Sequence, residues 1–156
     1  MPDIKDIWPL AHNILRSSRQ MINNELKPLD LSSSEGNILL HLLTQGQVLG
    51  QEDIVEQLDI SKPAVSRSLE SLERKGYLVR EVDPADKRAR RVLLTEKAME
   101  IGTRIETIYS EVFSIAVQGV TEDEINDFFE LFARVSESFS KARAVNKGKR
   151  RHKDGE

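Results

Sequence analysis

Apolar residues recur every three or four positions along most of this chain, and the single break in that rhythm limits what it can fold into. Ala98, Ile101, Ile105, Ile108, Val112 and Ile115 are spaced 3, 4, 3, 4, 3, and Ile125, Phe128, Phe132, Val135 and Phe139 are spaced 3, 4, 3, 4. Such spacing predicts long helices that pack side by side. Ile4, Ile7, Trp8, Ala11, Ile14, Leu15, Ser18 and Ile22 set the same period over roughly 4–26, which Pro28 closes. Between Tyr77 and Leu94 the rhythm is lost. Residues 77–82 and 90–94 are β-prone, and Asp83-Pro84 between them is a turn signal. Two antiparallel strands joined by a charged loop at 83–89 are expected, so the fold class is mainly α with a small antiparallel β-hairpin.

Helix starts and stops divide the rest. Ser32 with Glu35 forms a capping box, and the helix it opens runs to Gly46. A short helix fits 51–58. The next begins after Ser61, whose hydroxyl can cap free amide groups, and continues through Val65, Leu69 and Leu72 to Gly76. Thr95 caps a helix over 95–118, and Thr121 with Glu124 opens another over 121–143. The helices 51–58 and 61–75 are joined by a tight turn, which makes a helix-turn-helix. On the second of them Val65, Leu69 and Leu72 point inward, leaving Pro63, Ala64, Ser66, Arg67 and Glu70 outside. That outer face is slim at its N-terminal end, as a helix entering a major groove requires. Lys62 and Arg67 can reach phosphates or guanine edges there.

Charge is distributed unevenly. From Lys62 to Arg91 there are nine bases and five acids, whereas from Thr121 to Glu137 six acids face Arg134 alone. The two stretches suit different partners. Arg88, at the tip of the expected hairpin, can enter a narrow minor groove, where negative potential is enhanced. Asp86 would be repelled by phosphate if free, so its expected task is to hold Arg88 or a neighbouring arginine. Lys87, Arg90 and Arg91 are either backbone contacts or solvated charges.

Other chemistry finds little support. The chain has no cysteine, which removes disulfides, thiolate metal sites and thiol redox sensing. Its three histidines, His12, His41 and His152, are far apart, and there is no zinc-protease helix motif or phosphate-binding glycine loop. No enzyme activity, cofactor or metal is expected. No apolar run reaches the ~18 residues needed to span a bilayer, and the first residues lack a signal peptide's basic flank. A cytoplasmic protein with no membrane partner is the expectation.

The first, fifth and sixth helices carry broad apolar faces. Either a second copy or an intramolecular three-helix bundle would cover them; a homodimer is the expectation, burying Trp8, Ile14, Phe128 and Phe132 at roughly 1.5–3 kcal/mol each. The segment 144–156 is basic and expected to be disordered.

The stretch from Leu31 to Thr95 resembles the MarR family of transcriptional regulators. The carriers are Ser61-Lys-Pro-Ala-Val-Ser-Arg67, Leu72-Glu-Arg-Lys-Gly-Tyr-Leu-Val-Arg80, and Asp86-x-Arg88 followed by Leu94-Thr95. The resemblance implies a winged helix-turn-helix with N- and C-terminal dimerisation helices: a DNA-binding lobe at 31–94, dimerisation helices at 1–30 and 95–143, and a tail at 144–156. It also implies a dimeric repressor or activator on a palindromic double-stranded operator, contacted by Ser61, Lys62, Pro63, Ala64, Ser66, Arg67, Asp86, Lys87, Arg88 and Arg90. A small aromatic or phenolic effector would bind between the dimer helices and the lobe. Trp8, His12 and Arg16, each four residues apart, are candidates for its site; the bland reading puts Trp8 in the dimer core and the other two on the surface. A winged-helix protein-interaction module without specific DNA binding is the alternative.

Overall fold

The computed structural model describes the backbone of residues 1, 3–46 and 48–153, and the side chains of these except residues 4 and 145–153. The chain separates into two units, Met1–Ser114 and Ile115 onward. In the first lie α1 (Ile4–Leu26), a 3-10 turn (Lys27–Leu29), α2 (Ser33–Gln45), β1 (Val48–Gly50), α3 (Gln51–Leu58), α4 (Lys62–Arg74), β2 (Leu78–Val82), β3 (Arg90–Leu94) and nearly all of α5 (Glu96–Ala116). The second holds the end of α5 and α6 (Glu122–Lys153).

The expected caps form. Ser32 Oγ accepts the Glu35 N–H while Glu35 Oε2 accepts the Ser32 N–H, a complete capping box. Ser61 Oγ accepts the Ala64 N–H, and Thr121 with Glu124 reproduces the reciprocal pair at the start of α6. At the end of α4, Gly76 takes a left-handed φ of 81°. The Tyr77 N–H then bonds the Leu72 carbonyl and the Gly76 N–H the Glu73 carbonyl, the Schellman closure that glycine permits without a steric cost.

The sheet corrects one expectation. It has three strands in the order β1-β3-β2, not the two of a lone hairpin. Val48, Leu49 and Gly50 pair antiparallel with Leu93, Val92 and Arg91, so β3 is the central strand. Three residues are too few to display a period, and only the pairing with distant β3 makes them a strand.

One core serves this unit. Leu39, Leu42, Ile54, Val65, Leu69, Leu72, Val92 and Ile105 are fully buried, drawing on α2, α3, α4, β3 and α5. The elements approach closely: a Cβ placed on Gly36 of α2 would collide with Leu26 of α1 and press on the Tyr109 hydroxyl of α5.

In the second unit, α6 departs from its expected end at 143. Its backbone is helical to Lys153, and residues 154–156 lie outside the described residues. Alanine, lysine and arginine propagate a helix well, and bases near its C-terminus complement the helix dipole.

Candidate nucleic-acid interface

α3 and α4 are held at their crossing by a turn of three residues, Asp59 to Ser61. Asp59 takes a left-handed φ of 52°, which aspartate tolerates, and reverses the chain. Ile60 packs against the core and Ser61 opens α4. With Val65, Leu69 and Leu72 inside, the opposite surface of α4 is left to Pro63, Arg67 and Glu70, all exposed, with Ala64 and Ser66 half-buried beside them.

The wing is shaped by its aspartates. Asp83 Oδ1 accepts the Ala85 N–H at 2.8 Å and Asp86 Oδ1 accepts the Arg88 N–H at 2.9 Å. The Ala89 N–H bonds the Asp86 carbonyl, and the Asp83 N–H bonds the Ala89 carbonyl, closing the loop. Asp86 thus holds Arg88, and does so through the backbone N–H. A carboxylate two residues before an amide reaches it within one turn, which makes that local bond geometrically ready.

The structure sorts the nine bases of the Lys62–Arg91 block into two groups. Lys62 Nζ lies 2.6 Å from Glu52 Oε1, Lys75 Nζ 3.0 Å from Glu35 Oε1, and Arg80 2.7 Å from Glu73 Oε2. Arg91 pairs with Glu81 across the strands, and Arg74 donates to Ser71 Oγ. The remaining four, Arg67, Lys87, Arg88 and Arg90, are exposed and have no ion pair among the described residues. One is on α4 and three are on or beside the wing loop.

Behind that face lies an anchor. Glu35 is 4% exposed and accepts from Lys75 through both carboxylate oxygens. Burial alone would raise its pKa. Hydrogen bonds from Ser71, the Ser32 N–H and Lys75, with the ammonium charge, outweigh burial and hold the carboxyl below the usual glutamate value. Lys75 also donates to the Asp30 carbonyl at 2.6 Å, and Lys97 of α5 donates to the Lys75 carbonyl at 2.6 Å. The C-terminal end of α4 is therefore tied to the start of α2 and to α5. Glu73 is likewise held low by hydrogen bonds from the Arg80 side chain and N–H, against a smaller effect of burial.

Trp8, His12 and Arg16 are all exposed on α1, with Trp8 at 67%. A cavity of about 480 Å³ lies away from them, between α4 and the start of α2, with Arg67, Ser68, Ser71 and Lys75 on one side and Ser32 and Glu35 on the other. The partners that sequence reasoning missed are Glu52, ten residues from Lys62, and Glu35, forty from Lys75. The acidic first turn of α3 was a visible signal for Glu52; nothing local marks the second pair.

A helix-turn-helix followed by an antiparallel wing defines the winged-helix class of protein. The MarR family model matches residues 29–89, the lobe whose geometry is described above. Among solved structures, it is similar to a putative MarR family transcriptional regulator from Listeria monocytogenes complexed with 26mer DNA. Their identity is 26% over 91% of this chain and 92% of that one, with a TM-score of 0.80. A MepR–DNA complex from S. aureus is 26% identical, covering 83% of this chain and 95% of that one at a TM-score of 0.74. A MarR transcriptional regulator from Methanosarcina mazei Go1, 24% identical over 87% and 97% of the two chains, shares the fold with a TM-score of 0.81.

Proposed function

We propose that this protein is a sequence-specific DNA-binding transcriptional regulator acting as a homodimer in the cytoplasm. The observation that carries this reading is the sorting of the bases: Lys75, Arg80 and Arg91 are ion-paired within the protein, whereas on the slim face of α4 and the wing all but Lys62, namely Arg67, Lys87, Arg88 and Arg90, are left for a polyanion. The Listeria and S. aureus relatives, which are DNA complexes, support the choice of duplex. In this reading α4 enters the major groove, where Ser61, Pro63, Ala64 and Ser66 allow close approach and Arg67 reaches a base edge or phosphate. The loop 83–89 meets the adjacent minor groove, with Arg88 at its tip.

The homodimer is supported by what the single chain leaves uncovered. Ile7, Trp8, Leu10, Ile14 and Leu15 of α1 are each at least half exposed. A second copy would also supply walls for an effector site at Trp8, His12 and Arg16, which one chain leaves open; a small aromatic or phenolic molecule suits that ring and cation.

Selection from a random duplex pool tests the function. The expected winner is a two-fold symmetric site with half-sites about one helical turn apart or a multiple of it. Inserting five base pairs between half-sites turns them to opposite faces and should abolish specific binding. Enrichment of no sequence, with no salt-sensitive binding to any duplex, favours a protein-interaction module.

A further inference from the structure

One base of the proposed DNA face is not free. Lys62 stands in the first turn of α4, with its ammonium 2.6 Å from Glu52 in the first turn of α3. Both side chains are about two-thirds exposed, at 66% and 65%. The pair therefore holds nothing together in the core, and ion pairs in water contribute little to folding. Its position is the informative feature: the carboxylate occupies the cation at the end of the helix that points toward DNA.

We propose that Glu52 is an internal competitor for phosphate, which binds Lys62 in the free protein and is displaced by the DNA backbone. The inference rests on the proposed function and extends it to a residue outside the contact set. A carboxylate and a phosphate oxygen make the same charge-assisted bond to an ammonium. Exchanging one for the other yields little net gain, so Lys62 contributes less to affinity than its charge suggests. A phosphate contact carries no sequence information. Glu52 thus lowers cognate and scrambled binding together and sets the overall strength and salt dependence of association. The neighbouring Asp53 is exposed in the same turn and has no ion pair with Lys62, so it supplies a matched control for charge alone.

The test compares Glu52→Gln, Asp53→Asn and Lys62→Gln, with each acid variant also made in the Lys62→Gln background. Affinities are measured for the selected duplex and a scrambled one at several salt concentrations. Thermal melting of each variant confirms that α3 still forms. Glu52→Gln should tighten both duplexes roughly three- to fivefold at low salt and steepen the salt slope by up to about 0.9, one freed cation. Asp53→Asn should give a smaller gain, and the excess of Glu52→Gln over it should vanish without Lys62. Equal gains for the two acid variants, or an excess that persists in Lys62→Gln, would show a general field and overturn the competitor while leaving the proposed function intact. Wild-type protein that binds no duplex overturns both.

Discussion

In α4, Val65, Leu69 and Leu72 expose no surface, whereas in α6 Phe128, Phe129, Leu131 and Phe132 expose 57%, 62%, 57% and 61% of theirs. Both helices carry apolar residues at helical spacing, and both open on a side-chain cap. The difference is in what surrounds them. α4 sits among α2, α3, β2 and the core they share, so its apolar stripe is spent on folding. α6 keeps an exposed apolar stripe, including a Phe128–Phe132 stack at 5.4 Å. Periodicity identifies a face that needs covering. It does not say whether the cover comes from the same chain.

Substitutions on the two helices should therefore fail in different ways. The largest effect is expected from Phe128→Asp with Phe132→Asp, which would remove about 3–6 kcal/mol of apolar burial per protomer from the proposed dimer interface. Sedimentation should shift from dimer to monomer at micromolar concentration. The lobe itself should keep its helical circular dichroism. A wild type that sediments as a monomer, or a double variant that remains dimeric, would erase the contrast between α6 and α4.

Leu69→Ala attacks the other side. A fully buried leucine lost from a packed core costs about 2–5 kcal/mol, depending on how far the cavity collapses. Melting temperature should fall, with dimer mass unchanged below the transition. A loss below 1 kcal/mol in denaturant titration would mean that α4 is less tightly seated than its burial indicates.

At the C-terminal end of α4 lies the Glu35–Lys75 anchor, and its sensitivity to pH is directional. The folded pKa of Glu35 lies below its unfolded value. Its stabilisation is therefore complete above the unfolded pKa, falls as pH drops through the interval between the two, and is gone below the folded value. Glu35→Gln should lower stability at neutral pH by about 1–3 kcal/mol and flatten the acid side of the stability curve. An unchanged acid limb would show that other carboxylates govern it.

Much of this organisation was legible in the sequence because its signals are local. Ser32 with Glu35 and Thr121 with Glu124 announce helix starts within four residues, and Asp83-Pro84 marks the loop between strands. The inward face of α4 follows from Val65, Leu69 and Leu72 alone. What escaped depends on distance. Val48–Gly50 becomes a strand only through β3, and the anchor joins residues forty positions apart. Lys62 read as a free DNA contact because its partner belongs to the preceding helix. Charge counts could show a basic block, but only geometry could show which of its bases hold a partner within the chain.

The smallest effects should come from the wing, where affinity and salt dependence separate two roles. Arg88 is an exposed, unpaired cation, so Arg88→Ala should weaken cognate and scrambled duplexes by similar factors and reduce the salt slope by roughly 0.9, one phosphate-region contact. Asp86 acts differently, through its bond to the Arg88 N–H. Asp86→Ala removes that acceptor and frees the loop tip, so affinity should fall although a repulsive charge has also been removed. Asp86→Asn keeps a carbonyl oxygen for the same N–H and loses only the charge, so it should bind at least as well as the wild type. The ordering Asn at or above wild type, then Ala below it, assigns Asp86 to shaping the backbone. Equal tightening by both substitutions would make it a simple negative charge near DNA. If Arg88→Ala also left affinity and slope untouched, the loop 83–89 would not touch the duplex, and the unpaired bases of the wing would need another partner.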